Sequence, residues 1–108
     1  MPFTMIAASA ARDRLRAADG TCVLLDVRQP EEVRLASVAG AVVIQMMEIP
    51  NRLAELDRTK DILVMCHHGM RSQQVADFLA RSGYTKVASV IGGIDAWATT
   101  VDPTISRY

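Results

Sequence analysis

Cys66, His67, His68, Gly69, Met70, Arg71 and Ser72 follow one another between the apolar run Ile62 to Met65 and the helix-patterned stretch Gln73 to Ser82. A thiol, two imidazoles, a guanidinium and a hydroxyl this close together admit metal ligation, thiolate attack on an oxyanion ester, sulfur carriage, or no chemistry beyond a buried strand-end thiol. A short turn closing onto a helix N-terminus can aim successive backbone N–H groups into one concavity, a nest for an anion. Gly69 permits the positive φ that such a curl needs. The helix dipole places roughly half a positive charge at that end and Arg71 adds a full one, which favours the thiolate, the nucleophilic form of Cys66. Metal ligation is disfavoured, because three consecutive residues rarely converge on one tetrahedral centre and no second Cys/His cluster completes a ligand set. We therefore expect no metal. His67 and His68 are expected to line the loop mouth, with a weaker case for either as a general acid or base.

The elements around this loop read as alternating strands and helices. Thr4 to Ile6 can form a short edge strand, and Ala11, Leu15 and Ala18 recur at helical spacing before Gly20. Val23 to Val27, Ala41 to Ile44, Ile62 to Met65 and Val87 to Ile91 are short apolar or β-branched runs of the kind buried on both faces of a parallel sheet. Pro50 is placed to start a helical turn ahead of Leu53 and Leu56. Ser72 can cap the helix QQVADFLARS, with Val75, Ala76 and Leu79 on one face and Gly83 at its end. Gly92 and Gly93 read as a turn before a short helix, Ile94 to Ala98, anchored by Trp97. Strand–helix alternation implies a mostly parallel sheet covered on both faces. Ligands then bind beyond the carboxyl ends of the strands, where Cys66 falls.

The chain has 108 residues, half of them apolar, with 12 basic and 12 acidic side chains. That length favours one compact domain, residues 1–108. The balanced charge provides no global field for nucleic acid or an anionic membrane, and no stretch approaches the roughly 20 apolar residues of a membrane span. No signal-peptide pattern opens the chain. Cys22 lies in one apolar run and Cys66 ends another, so two free thiols in a reducing cytoplasm are expected. The six methionines are scattered, which suits packing rather than soft-metal binding.

Three separated stretches resemble the rhodanese (sulfurtransferase) family. LLDVRQPEE, from Leu24 to Glu32, resembles its first signature, CHHGMRS its active loop, and GGIDAW with VDPTISRY its C-terminal segment. The resemblance implies an α/β fold, a rhodanese-like three-layer domain with a central, mainly parallel sheet flanked by helices. It implies that Cys66 takes sulfane sulfur from a small sulfur-containing anion such as thiosulfate, becomes a persulfide, and passes the sulfur to cyanide, a thiol or a protein acceptor. His67, His68, Gly69, Met70 and Arg71 would form the loop whose amides hold the persulfide, with Arg71 orienting the donor and Ser72 capping the helix. No cofactor is implied. Asp26 and Arg28 match the first signature, and we read them as a strand-end acid and base that fix the following loop, with a lesser role in positioning Arg71.

Two rivals remain. A cysteine phosphatase or arsenate reductase also sets a thiolate before an arginine, but those families resemble a C-x5-R spacing, whereas Cys66 and Arg71 are C-x4-R. The tighter turn suits a persulfide sulfur better than a tetrahedral oxyanion. A non-catalytic sulfur-carrier or regulatory module would keep the fold without turnover; such modules often lack the cysteine, which is present here.

Overall fold

The computed structural model describes residues 3–17 and 20–108. Five strands, β1 (Thr4–Ile6), β2 (Cys22–Asp26), β3 (Val42–Val43), β4 (Asp61–Met65) and β5 (Val87–Val90), form one sheet in the order β1-β5-β4-β2-β3. Every neighbouring pair is parallel. Helices α1 (Ala8–Ala17), α2 (Pro30–Leu35) and α3 (Met70–Arg81) lie in the crossovers, two 3-10 turns, Met46–Asn51 and Leu53–Glu55, precede β4, and helix α4 (Gly93–Thr100) follows β5. The expected α/β three-layer architecture is therefore present, and each predicted strand is found within a residue or two. Ala18, predicted to continue the first helical face, lies outside the described residues.

The continuous apolar runs arise because both faces of the central strands are covered. Side chains alternate along a strand, so Ile62, Val64 and Cys66 pack with Leu25, Val75, Ala76 and Leu79 on the α3 side. Leu63 and Met65 pack with Ala11, Leu24, Ile94 and Trp97 on the side of α1 and α4. Cys66 thus leaves β4 on the α3 side, directly beneath that helix. β1, as expected, and β3 are the two edge strands, and Val42 and Val43 of β3 are exposed.

Pro50 does not begin a helix. It is the fifth residue of the 3-10 turn Met46–Asn51, where its missing N–H prevents elongation into an α-helix. Leu56 nevertheless reaches the core, and the Tyr84 hydroxyl lies 2.9 Å from the Leu53 carbonyl and 3.0 Å from that of Leu56.

Asp26 and Arg28 are fully buried. Arg28 Nε donates to Asp26 Oδ1 at 2.9 Å and Nη2 to Asp26 Oδ2 at 2.6 Å. Nη1 donates to the Glu32 carbonyl at 3.2 Å and to the Tyr108 hydroxyl at 2.8 Å; Nη2 also reaches the Ala36 carbonyl at 2.8 Å. The pair ties the end of β2 to α2 and to the last residue of the chain. Truncating one member of such a pair strands the other charge. Arg28→Met is expected to lower the unfolding free energy by about 3–5 kcal/mol, read from urea titrations at neutral pH. A loss of only about 1 kcal/mol, typical of an exposed ion pair, would contradict this assignment.

Candidate active site

The loop after β4 is shaped from outside by α4. The Ile94 N–H donates to the Cys66 carbonyl at 2.8 Å, and the Asp95 N–H to the His67 carbonyl at 3.2 Å. A trans peptide sets its N–H opposite its carbonyl, so the amides of His67 and His68 point away from α4. Gly93 makes the approach possible: a Cβ there would lie 2.3 Å from the Cys66 oxygen and 2.5 Å from that of His67, and its φ of +57° is left-handed.

Gly69, at φ +116°, closes the curl and precedes the first residue of α3. Its N–H lies 3.0 Å from Cys66 Sγ. The amides of Met70, Arg71 and Ser72 stand in the first turn of α3, where an α-helix offers its N–H groups no internal acceptor. Ser72 does not cap this helix. The positive φ of Gly69 starts the helix earlier, so Ser72 falls inside the first turn and its hydroxyl donates back to the Gly69 carbonyl at 3.0 Å. Its Oγ is 3.6 Å from Cys66 Sγ and 2.8 Å from Ser89 Oγ, with both serines fully buried. Cys66 lies at the base of a cavity of about 350 Å³ lined also by His67, His68, Met70, Arg71 and Gln74. A cavity of similar size, about 360 Å³, opens at the other end of the strands beside Arg14, Asp61 and Lys86 and is lined by no thiol.

Arg71 is held by a partner that sequence reading missed. Its Nη1 and Nη2 meet Glu32 Oε1 and Oε2 at 2.6 and 2.8 Å. The Tyr108 hydroxyl donates to Glu32 Oε2 at 2.9 Å, and the Gln29 N–H reaches Oε1 at 3.2 Å. The Arg71 guanidinium, helped by Tyr108 and Gln29, lowers the Glu32 pKa to about 2. Glu32 in turn raises that of Arg71. The Tyr108 ring stacks on His67 at 3.9 Å and 7°, and His67 stacks on His68 at 3.9 Å. Burial and the neighbouring His68 push the His67 pKa down. Asp26 and Arg28 touch this network through Tyr108 and Glu32 rather than through Arg71 itself. Glu32 carried one sequence signal, the spacing from Gln29 that forms a capping box on α2. Ser89 carried another, a hydroxyl inside an apolar strand. Nothing in the sequence linked Tyr108 to either.

Among the described residues no group of three His, Cys, Asp or Glu side chains is arranged to hold a metal ion. Both cysteines are free thiols. Cys22 pairs in register with Asp61 at the start of β4, which puts it roughly 16 Å along the strands from Cys66 at about 3.3 Å per residue. A disulfide needs Cα atoms within about 7 Å, so Cys22 cannot resolve Cys66 in this fold.

Two outcomes follow from this geometry. Gly93→Ala is expected to displace the loop, lowering stability by about 1–3 kcal/mol and changing the iodoacetamide reaction rate of Cys66. Gly40→Ala, where an added Cβ meets nothing within 4 Å, supplies the backbone strain alone and should leave that rate unchanged. Separately, the Glu32 pKa lies near 2 against an ordinary 4.5, so the stabilisation from its pairing is present above about pH 4.5 and is lost as pH falls toward 2. Urea midpoints of the wild type and Glu32→Gln should therefore converge on acidification; a constant gap from neutral pH to about pH 2.5 would contradict the pairing.

Residues 8–100 match the family model described as Rhodanese-like domain. The chain is 35% identical over 103 residues to the putative sulfurtransferase YtwF of Bacillus subtilis (strain 168), covering 95% of this chain and 98% of that protein. It is 38% identical over 89 residues to rhodanese-like/PpiC domain-containing protein 12, chloroplastic, of Arabidopsis thaliana; that match covers 79% of this chain but spans only 30% of the plant protein. The crystal structure of a rhodanese-related protein from Thermoplasma volcanium superposes with a TM-score of 0.84 at 28% identity, covering 98% of this chain and all of that one. With a family model that spans residues 8–100 and a relative 35% identical over nearly the whole of both chains, the chain belongs to the rhodanese-like domain family.

Proposed function

We propose that this protein is a sulfurtransferase that moves sulfane sulfur through a Cys66 persulfide, from a donor such as thiosulfate to a thiophilic acceptor, cyanide or a thiol. The observation that carries the reading is the position of Cys66 Sγ, at the base of a cavity and 3.0 Å from the Gly69 N–H at the entrance to α3. A sulfur placed there is met by amides and the helix dipole, which stabilise the thiolate and then the outer sulfur of a persulfide.

In the first half-reaction the Cys66 thiolate attacks the outer sulfur of thiosulfate. The donor's sulfur–sulfur bond breaks, sulfite leaves with the electron pair, and Cys66 carries the extra sulfur. In the second, the acceptor attacks that outer sulfur and the Cys66 thiolate leaves. The electrons balance between donor and acceptor with no external oxidant or reductant, so the transfer needs neither metal nor organic cofactor. His67, His68, Gly69 and Met70 frame the loop, Arg71 contributes donors to the bound anion, and Ser72 faces the sulfur. Asp26 and Arg28 hold the loop that brings Glu32 to Arg71. The C-x4-R spacing and the pairing of Arg71 with Glu32 weigh against phosphatase or arsenate reductase chemistry. The intact cysteine loop weighs against a purely regulatory module. No helix among the described residues is long and apolar enough to cross a membrane, and two free thiols suit a reducing cytoplasm. The zero formal charge gives no reason to invoke nucleic acid.

Incubation with thiosulfate is expected to add one sulfur, roughly 32 Da, by thiolate attack on sulfane sulfur. Cyanide should remove it, and Cys66→Ser should never acquire it. An adduct on Cys22, or none from any of several donors, would sink the proposal, as would efficient turnover of phosphate esters.

A further inference from the structure

We infer that Glu32 is a specificity-determining residue: by occupying Arg71 it sets the site for sulfur donors of low charge, persulfides on an uncharged organic carrier, in preference to the thiosulfate dianion. The inference rests on the sulfurtransferase reading above and concerns which donor that site prefers.

Among the described residues, Arg71 is the only lysine or arginine lining the cavity above Cys66. Its two terminal nitrogens each engage one Glu32 oxygen, in the planar bidentate arrangement that is strongest for this pair. The guanidinium keeps hydrogen-bond donors to spare, so an incoming anion can still find an N–H. What it does not find is a net charge. The Glu32 carboxylate lies just behind the lining, 2.6 and 2.8 Å from the guanidinium nitrogens it balances, so its repulsion of a dianion offsets much of the attraction that Arg71 exerts. Glu32 cannot swing aside freely, because the Tyr108 hydroxyl and the Gln29 amide bind the same carboxylate, and Tyr108 is itself fixed by the buried Arg28. His67 does not restore the missing charge, since burial and His68 disfavour its protonated form.

The remaining lining suits an organic carrier. Met70 is largely exposed at the rim, beside Gln74 and the stacked imidazoles. A flexible thioether adapts to varied apolar groups. The single charge of a persulfide can be met by the Gly69 amide and the first turn of α3, with no further cation. In the step itself the Cys66 thiolate attacks the outer sulfur of R–S–SH. The donor's sulfur–sulfur bond breaks, R–S⁻ leaves with the electron pair, and Cys66 gains the outer sulfur as Cys66 S–SH; one sulfur–sulfur bond is broken and one is formed.

The test compares single-turnover sulfur loading of Cys66, followed by mass, from thiosulfate and from the hydropersulfide of N-acetylcysteine amide. The wild type should load from the persulfide faster, and its thiosulfate rate should change little between low and physiological salt, because a neutral pair exerts little long-range steering. Glu32→Gln should raise the thiosulfate rate about tenfold and make it fall with salt, with the persulfide rate held within about threefold. A merely structural loss would slow both donors together. Tyr108→Phe, which loosens the carboxylate without removing it, should shift the ratio in the same direction by less. A wild type that loads as fast from thiosulfate as from the persulfide, with a rate that drops steeply in salt, would overturn the inference while leaving the sulfurtransferase reading intact. An unchanged donor ratio in both variants would also overturn it. Loading from neither donor would overturn the sulfurtransferase reading and this inference with it.

Discussion

A guanidinium out of contact with water must find an acceptor for each of its donors or impose several kcal/mol of desolvation penalty, and Arg28 finds them in four separate parts of the chain. Its five side-chain N–H groups are taken up by the Asp26 carboxylate, the Glu32 and Ala36 carbonyls and the Tyr108 hydroxyl. The requirement is geometric, since the fork is planar and rigid. It fixes where α2 lies relative to the end of β2 and holds the last residue of the chain against both. The placement of Glu32 opposite Arg71, and of the Tyr108 ring against His67, follows from it. The side chains around the mouth of the cavity are therefore positioned by a buried charge that does not line it.

The loop itself is governed by a division of its two hydrogen-bonding edges. The carbonyls of Cys66 and His67 go to the N-terminus of α4, which can accept two more partners because its first amides have no helical acceptors. This use of α4 leaves α3 free to present its own N-terminus to the sulfur. Two helix N-termini thus converge on one short segment, one binding its oxygens and the other its sulfur. Gly93 is the point where the backbones come too close for a side chain, so the glycine pair in GGIDAW is a steric requirement of the active loop although it lies 26 or more residues downstream of Cys66.

The sequence carried the parts of this arrangement that depend on local pattern. Apolar runs marked the strands because both faces of the sheet are covered, and Cys66 could be placed at a strand-to-helix turn because Gly69, Val75 and Leu79 signal the curl and the helix that follows. The cap assigned to Ser72 lies three positions earlier, at Gly69: a serine ahead of an apolar run looks like a cap, but a left-handed glycine had already begun the helix. Pro50 looked like a helix start, yet the 3-10 turn around it had begun four residues earlier. Glu32, Ser89 and Tyr108 were not read as parts of the site because their contacts span 39, 17 and 76 to 80 residues. No local period encodes a meeting between the end of the chain and its first helix-capping glutamate.

Ser89 shows why such a contact matters to the chemistry. In the proposed reaction the Cys66 sulfur would cycle among thiol, thiolate and persulfide, changing between hydrogen-bond donor and acceptor, and a buried partner must follow it without being stranded. A hydroxyl can do so, having one donor and two acceptor sites on a freely rotating bond. Ser72 Oγ can receive the Cys66 S–H while donating to the Gly69 carbonyl, or turn its proton toward the thiolate. In the second state Ser72 still has a neighbour for its lone pair, because Ser89 Oγ lies 2.8 Å away. The two serines form a neutral relay in the core, able to track the charge on the sulfur without a second titrating group beneath it. That neutrality matches the mouth of the site, where Arg71 and Glu32 are paired, so that the amides and the dipole of α3 are left as the uncompensated positive field beside the sulfur.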